Sequence, residues 1–254
     1  MDSLGDRMKA YEAAYEHTIV NRLPIIIRCD GKGFSKWTKA MKAKKPFDDQ
    51  LANAMSNTML ITADNIEGCL FGFTQSDEMT FVLRNDQSLE STPWFGNRLQ
   101  KICSIVSSMV TAHFAGQMSG LPCAYFDTRV FAVPTVQEAI NCLIWRQNDA
   151  VKNSISCSCY YEVANKVGKK TARKMMENLN GKQQQELLFK ETGMNWNDYP
   201  AYFKRGMGCK KETKIFTDDS GKEYMRSGWV KILDLPTFSK EQEYLQKILG
   251  FEKA

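Results

Sequence analysis

Leu23-Pro24-Ile25-Ile26-Ile27-Arg28-Cys29-Asp30-Gly31-Lys32-Gly33-Phe34 sets a β-branched run against a carboxylate and a glycine-bracketed lysine. The run predicts a buried strand. The two glycines leave backbone N–H groups able to turn toward an anion. Residues 31–47 read as an irregular basic loop closed by Pro46. A helix is expected from about Asp48 to Asp64, its N-terminus favoured by Asp48 and Asp49. Gly68-Cys69-Leu70-Phe71-Gly72-Phe73-Thr74 predicts a second strand and Met79-Thr80-Phe81-Val82-Leu83 a third. The short turn Gln75-Ser76-Asp77 joins them as a hairpin.

Further out, Leu99, Ile102, Val106, Met109, Val110 and Phe114 recur at helical spacing, predicting a helix from Asn97 to about Ala115. Ala124 to Val133 predicts a fourth strand, ended by Pro134. The order β-α-β-β-α-β is that of a ferredoxin-like sheet with two helices on one face, so the expected class is α+β. In such a sheet the first and third strands are antiparallel neighbours. Asp30 ends the first and Asp77 starts the third, so both carboxylates are expected at one edge, beside the Gly-x-Gly loop. Hard oxygen ligands of this kind suit Mg²⁺, which keeps part of its coordination for phosphate oxygens and water. Lys32, Lys45, Arg98 and Lys101 are candidate cations for triphosphate charge. With only His17 and His113 in the chain, a histidine-based triad or zinc hydrolase is a poor fit.

The chain has 254 residues, 43% of them hydrophobic and 25% charged, as expected of a globular protein with a sizeable core. The N-terminus lacks the basic and apolar regions of a signal peptide, and a cytoplasmic location is expected. The eight scattered cysteines contain no C-x-x-C pair and read as reduced, mostly buried thiols. Charge is uneven. Residues 1–138 hold 14 Lys/Arg against 15 Asp/Glu, and residues 139–254 hold 20 against 14. Clusters at Lys32–Lys45, Lys166–Lys174 and Lys204–Lys214 favour a polyanionic partner. The division expected is a palm-like catalytic domain over 1–138 and a helical, basic region over 139–254 packed on it. A first helix is expected over 4–17. In the second region, long helical stretches (Ala139–Val167, with a break near Asn153–Ser154; Lys169–Asn180; Gln183–Glu191) precede a hairpin. Its arms are Thr213–Phe216 and Glu223–Met225, joined by a loose turn at Asp218-Asp219-Ser220-Gly221. A last helix is expected over Lys240–Leu249.

Arg28-Cys29-Asp30-Gly31-Lys32-Gly33-Phe34, Lys45-Pro46, Gln75-Ser76-Asp77-Glu78-Met79-Thr80-Phe81-Val82, Phe126-Asp127-Thr128-Arg129-Val130 and Trp145-Arg146-Gln147-Asn148-Asp149 together resemble the tRNA-His guanylyltransferase family, the reverse, 3′-to-5′ polymerases. The similarity spans roughly residues 5–210. It implies a polymerase-type palm with two or more Mg²⁺ ions held by Asp30, the Gly31 carbonyl and Asp77. It implies GTP and ATP as substrates, the triphosphate cradled by Asp30, Gly31, Lys32, Gly33, Phe34 and Ser35, and by Ser76. Lys45 matches a lysine that activates the tRNA 5′ end, Arg98 and Lys101 match positions near phosphates, and Glu78 matches an acid beside the metal aspartate. A tRNA partner and a homotetramer are implied as well. Where eukaryotic members carry His-Ile-Asn-Asn, this chain has Val151-Lys152-Asn153-Ser154. It resembles instead the bacterial and archaeal-type members that repair 5′-truncated tRNA. A palm-type nucleotide cyclase and a non-catalytic RNA-binding protein are the alternative readings.

Overall fold

The computed structural model describes residues 3–217 and 223–251. Strands β1 (Ile25–Gly31), β2 (Cys69–Gln75), β3 (Glu78–Leu83) and β4 (Phe126–Ala132) form where the apolar runs predict them. Helices α3 (Asp49–Asp64) and α4 (Leu99–Gln117) connect them in the expected β-α-β-β-α-β order. β1 pairs antiparallel with β3, Ile25 opposite Leu83 and Asp30 opposite Glu78. The sheet is larger than the palm alone. It has six strands in the order β4-β1-β3-β2-β5-β6, because β5 (Met207–Thr217) pairs with β2 and β6 (Glu223–Ile232) with β5.

The central strands are covered on both faces, which explains their unbroken apolar runs. Ile25, Ile27, Cys29, Met79 and Phe81 pack toward α3 and α4. Ile26, Phe71, Phe73 and Val82 pack toward α5 (Val136–Val167) and α9 (Gln242–Leu249). A small satellite core of Cys159, Val163, Ala172 and Leu188 joins α5 to α6 (Lys169–Met176) and α7 (Gly181–Thr192).

Several expectations are corrected. The basic loop contains a helix, α2 (Phe34–Ala40), which buries Phe34, Trp37 and Thr38 while its lysines face solvent. α5 runs unbroken through Asn153–Ser154, held by the packing that buries Ser154, Ile155 and Ser158, and the Ser154 hydroxyl satisfies itself on the Val151 carbonyl (2.8 Å). α1 (Leu4–Ala13) stops short of the expected residue 17. The hairpin arms are longer than predicted and belong to the main sheet, while the turn at Asp218–Gly221 lies outside the described residues. α8 (Ala201–Arg205) precedes β5. Five of the eight cysteines are buried: Cys29, Cys69, Cys142, Cys159 and Cys209. Among the described residues no helix is long and apolar enough to cross a membrane.

Candidate active site

The edge where β1 ends and β3 begins opens onto a cavity of about 470 Å³. Asp30, Phe34, Ser35, Lys45, Ser76, Asp77 and Glu78 all line it. Its far wall comes from the second half of the chain: Arg146, Asp149, Asn153 and Cys157 of α5, and Tyr202 and Phe203 of α8.

Local stereochemistry explains how the two aspartates are brought together. The Gly31 N–H donates to the Asp77 carbonyl (3.1 Å), tying the end of β1 to the β2–β3 turn. A Cβ on residue 31 would meet the Phe34 ring and would lie 2.9 Å from the Asp77 Cβ, so this position takes only glycine. Gln75 pairs with Glu78, leaving Ser76 and Asp77 as a two-residue turn. Ser76 sits there at φ +55°, an uncommon left-handed conformation for a non-glycine residue. Its hydroxyl donates to Asp77 Oδ1 (3.0 Å). Strain of this sort is retained where neighbouring contacts over-determine it, and it concentrates at functional sites.

The electrostatics follow from burial and proximity. Burial pushes the Asp77 carboxyl above its usual range, the Ser76 hydroxyl opposes this, and the Asp30 charge adds to the rise. A carboxylate whose ionisation is opposed by burial and by a neighbouring acid is a favourable seat for a divalent cation. Among the described residues no three Asp, Glu, His or Cys side chains gather as a metal cage. Asp30 and Asp77 line one cavity, and carboxylate oxygens are the ligands Mg²⁺ takes when phosphate and water complete its shell.

Glu78 is differently placed. Arg146 grips it with two parallel hydrogen bonds, Nε to Oε1 at 2.5 Å and Nη2 to Oε2 at 2.8 Å. Arg146 also reaches Asp149 Oδ2 (3.0 Å) and lies over the Trp145 ring, 4.5 Å from its centroid. Burial lifts the Glu78 carboxyl above its usual range despite this pairing. Burial works against the Arg146 charge, and the Glu78 and Asp149 carboxylates together more than offset it. Arg146 is the residue that sequence reasoning passed over. Its signal was the Trp145-Arg146-Gln147-Asn148-Asp149 block, where Arg146 and Asp149 share a helix face at i, i+3.

The remaining candidates divide. Lys45 faces the cavity and lies 5.4 Å from the Tyr161 ring centroid. Lys32 and Gly33 are exposed beside the opening and do not line it. Arg98 and Lys101 stand elsewhere, around a separate concavity with Lys9, Glu12 and Glu16 of the α1 segment. There Arg98 pairs with Glu16 at 3.2 Å.

A family model described as tRNAHis guanylyltransferase matches residues 5–134, and one described as Thg1 C terminal domain matches residues 137–244. The chain is 30% identical to the probable tRNA(His) guanylyltransferase of Drosophila melanogaster, across 84% of this chain and 75% of that protein. It is 28% identical to the tRNA(His) guanylyltransferase of Saccharomyces cerevisiae, across 75% and 84%. A bacterial tRNA(His) guanylyltransferase (Thg1)-like protein in complex with ATP superposes with a TM-score of 0.82 at 38% identity, covering 98% of this chain and 99% of that one. The same description in complex with GTP gives a TM-score of 0.80 at 39% identity, with the same coverage.

Proposed function

Because the chain belongs to the tRNA(His) guanylyltransferase family of nucleotidyltransferases, we propose that it extends the 5′ end of tRNA in the 3′-to-5′ direction, using GTP and ATP. The observation that carries this reading is the meeting of Asp30, Asp77 and Lys45 in one cavity, where the end of β1 approaches the β2–β3 turn so closely that residue 31 must be glycine. Asp30, the Gly31 carbonyl and Asp77 would hold Mg²⁺, which would supply charge stabilisation for phosphoryl transfer. Ser76 and the backbone leading into α2 orient the triphosphate. Lys45, in the same cavity, holds the 5′-phosphate of the RNA. A 5′-monophosphate is first activated by attack on the α-phosphate of ATP or GTP, releasing pyrophosphate, and the 3′-hydroxyl of the incoming nucleotide then attacks the activated 5′-phosphate, expelling the nucleoside monophosphate. A 5′-triphosphate skips the first step. Residues 1–138 supply the chemistry and 139–254 the contacts that hold tRNA.

Val151-Lys152-Asn153-Ser154 and the likeness to bacterial Thg1-like proteins both support repair of 5′-truncated tRNA. The test is product mapping with labelled GTP. It compares full-length tRNA-His with a tRNA lacking its first nucleotide, each carrying a mono- or triphosphate end. Label should join the truncated substrate first. Preference for full-length tRNA-His would replace repair by identity setting, and cyclic product without RNA would replace both.

The homotetramer reading finds support in α1. It buries no residue, and Leu4, Met8 and Tyr11 leave a stripe at i, i+4, i+7 that is 67%, 46% and 67% exposed. So short a helix is marginal in water on its own, and a second copy of the chain would cover the stripe. Met8→Asp combined with Tyr11→Asp should shift the species seen by light scattering to lower mass. An unchanged mass would place the interface elsewhere.

A further inference from the structure

α5 lines two hollows at once. Asn153 and Cys157 face the catalytic cavity, whereas Ser156 and Tyr160 face an open concavity of about 720 Å³ against α6. From Asn153 to Tyr160 the helix rises only about 10 Å. Arg173, Lys174, Met176 and Glu177 complete the second hollow. A row of cations and rings joins the two. Lys45 Nζ lies 5.4 Å from the Tyr161 ring centroid, Tyr161 meets Tyr160 edge-on at 5.0 Å, and the Arg173 guanidinium lies 5.8 Å from the Tyr160 centroid.

α6 itself breaks the rules for a stable helix. Lys169 and Lys170 stand in its first turn, with no acid there and no side-chain cap. That end of a helix is electropositive and favours anions. Lys169 with Arg173, and Lys170 with Lys174, are like-charge pairs at i, i+4, which repel. Among the described residues none of the four makes an ion pair with a carboxylate. Locally unfavourable charge of this kind is expected where an external anion compensates it.

We propose that this concavity carries the phosphodiester backbone of the tRNA strand that leads away from the 5′ end engaged in the cavity. Lys169, Lys170, Arg173 and Lys174 hold its phosphates, and Tyr160 and Tyr161 contact a ribose or base between the two hollows. The proposal rests on the tRNA 5′-end reading and states where that substrate continues. Phosphate contacts of this type set affinity and its salt dependence without reading sequence.

The experiment measures binding of a 5′-truncated tRNA by fluorescence anisotropy across a salt series, with GTP binding and thermal melting in parallel. Arg173→Glu/Lys174→Glu should raise the tRNA Kd roughly tenfold or more and flatten the log K against log salt slope by about two. GTP affinity should stay unchanged. Lys169→Gln/Lys170→Gln removes first-turn repulsion, so it should raise Tm while weakening tRNA binding, an opposition that a folding defect would not produce. An unchanged tRNA Kd and slope in both variants would overturn the proposal. If the parent protein binds tRNA with this salt dependence yet adds no nucleotide, the functional reading fails and the surface stands. If it adds nucleotides and the variants keep the parent KM for tRNA, the surface fails alone.

Discussion

Asp77→Asn is expected to lower metal-dependent nucleotide addition by roughly 10³-fold, the scale seen when a preorganised electrostatic group is removed from a reaction centre. It should also do something a structural lesion would not: raise the Tm of the metal-free protein. The Asp77 carboxyl lies above its usual range because it is buried and faces Asp30. A carboxyl whose folded-state pKa exceeds its unfolded value opposes folding at neutral pH, and the opposition fades as pH falls toward the raised pKa. Replacing it with a neutral isostere removes that opposition. Mg²⁺ should then raise the Tm of the parent protein and leave that of Asp77→Asn unchanged. In the parent, the Mg²⁺ increment should grow as pH rises through the Asp77 pKa, since only the ionised carboxylate binds the ion. A variant that melts lower than the parent without metal, or that still responds to Mg²⁺, would sink the assignment of Asp77 as half of the cation seat.

The edge carrying Asp30 and Asp77 was legible in the sequence because both signals are local. Ile25–Cys29 and Met79–Leu83 read as strands from their own side chains, and once the strand order is known the two ends must coincide. α2 was hidden because Lys36 and Lys39 interleave with Phe34, Trp37 and Thr38, so a short buried stripe was masked by charge. The pairing of β5 with β2 was not legible at all. Met207-Gly208-Cys209-Lys210 is a poor strand former by composition. Gly208 and the preceding Gly206 are spacers: a Cβ on Gly208 would lie 2.9 Å from the Phe71 ring, and one on Gly206 would lie 2.7 Å from the Thr74 carbonyl. They look like turn residues until the partner strand is in place. Arg98 and Lys101 show the converse limit. Their charge and the family resemblance point to phosphate contacts, and the fold sets them around a concavity with Lys9 and Glu12 of α1, apart from the cavity of Asp30 and Asp77. The position of α5 across the sheet, and with it the reach of Arg146 to Glu78, is set by packing between Ile26, Val82, Ile140 and Leu143, residues far apart in sequence.

Arg146→Ala is expected to destabilise the protein by about 2–3 kcal/mol, below the range for removing one partner of a fully buried ion pair. The side chains of Arg146 and Glu78 are 12% and 17% exposed and both line the cavity, so water entering it takes up part of what is lost. The substitution strands Glu78 and Asp149 at the edge that already holds Asp30 and Asp77, turning a balanced corner into four neighbouring carboxyl groups. The pH dependence has a definite sign. Burial already raises the Glu78 carboxyl and Arg146, with a smaller contribution from Arg28, restrains it, so the variant protonates Glu78 at higher pH. Its folded-state pKa then lies further above the unfolded value, and the deficit in urea melts should shrink as pH is lowered. Arg146→Lys keeps the charge but not the two-pronged grip, and should fall between parent and Ala. The decisive variant removes both partners. Arg146→Met/Glu78→Met should recover part of the lost stability, because it removes the stranded Glu78 charge, while Asp149 still lacks its Arg146 partner. If the double variant also recovers nucleotide addition, Glu78 serves the fold alone. If it is stable and inactive, the Glu78 carboxylate is needed at the reacting edge and Arg146 is the residue that keeps it ionised and in place.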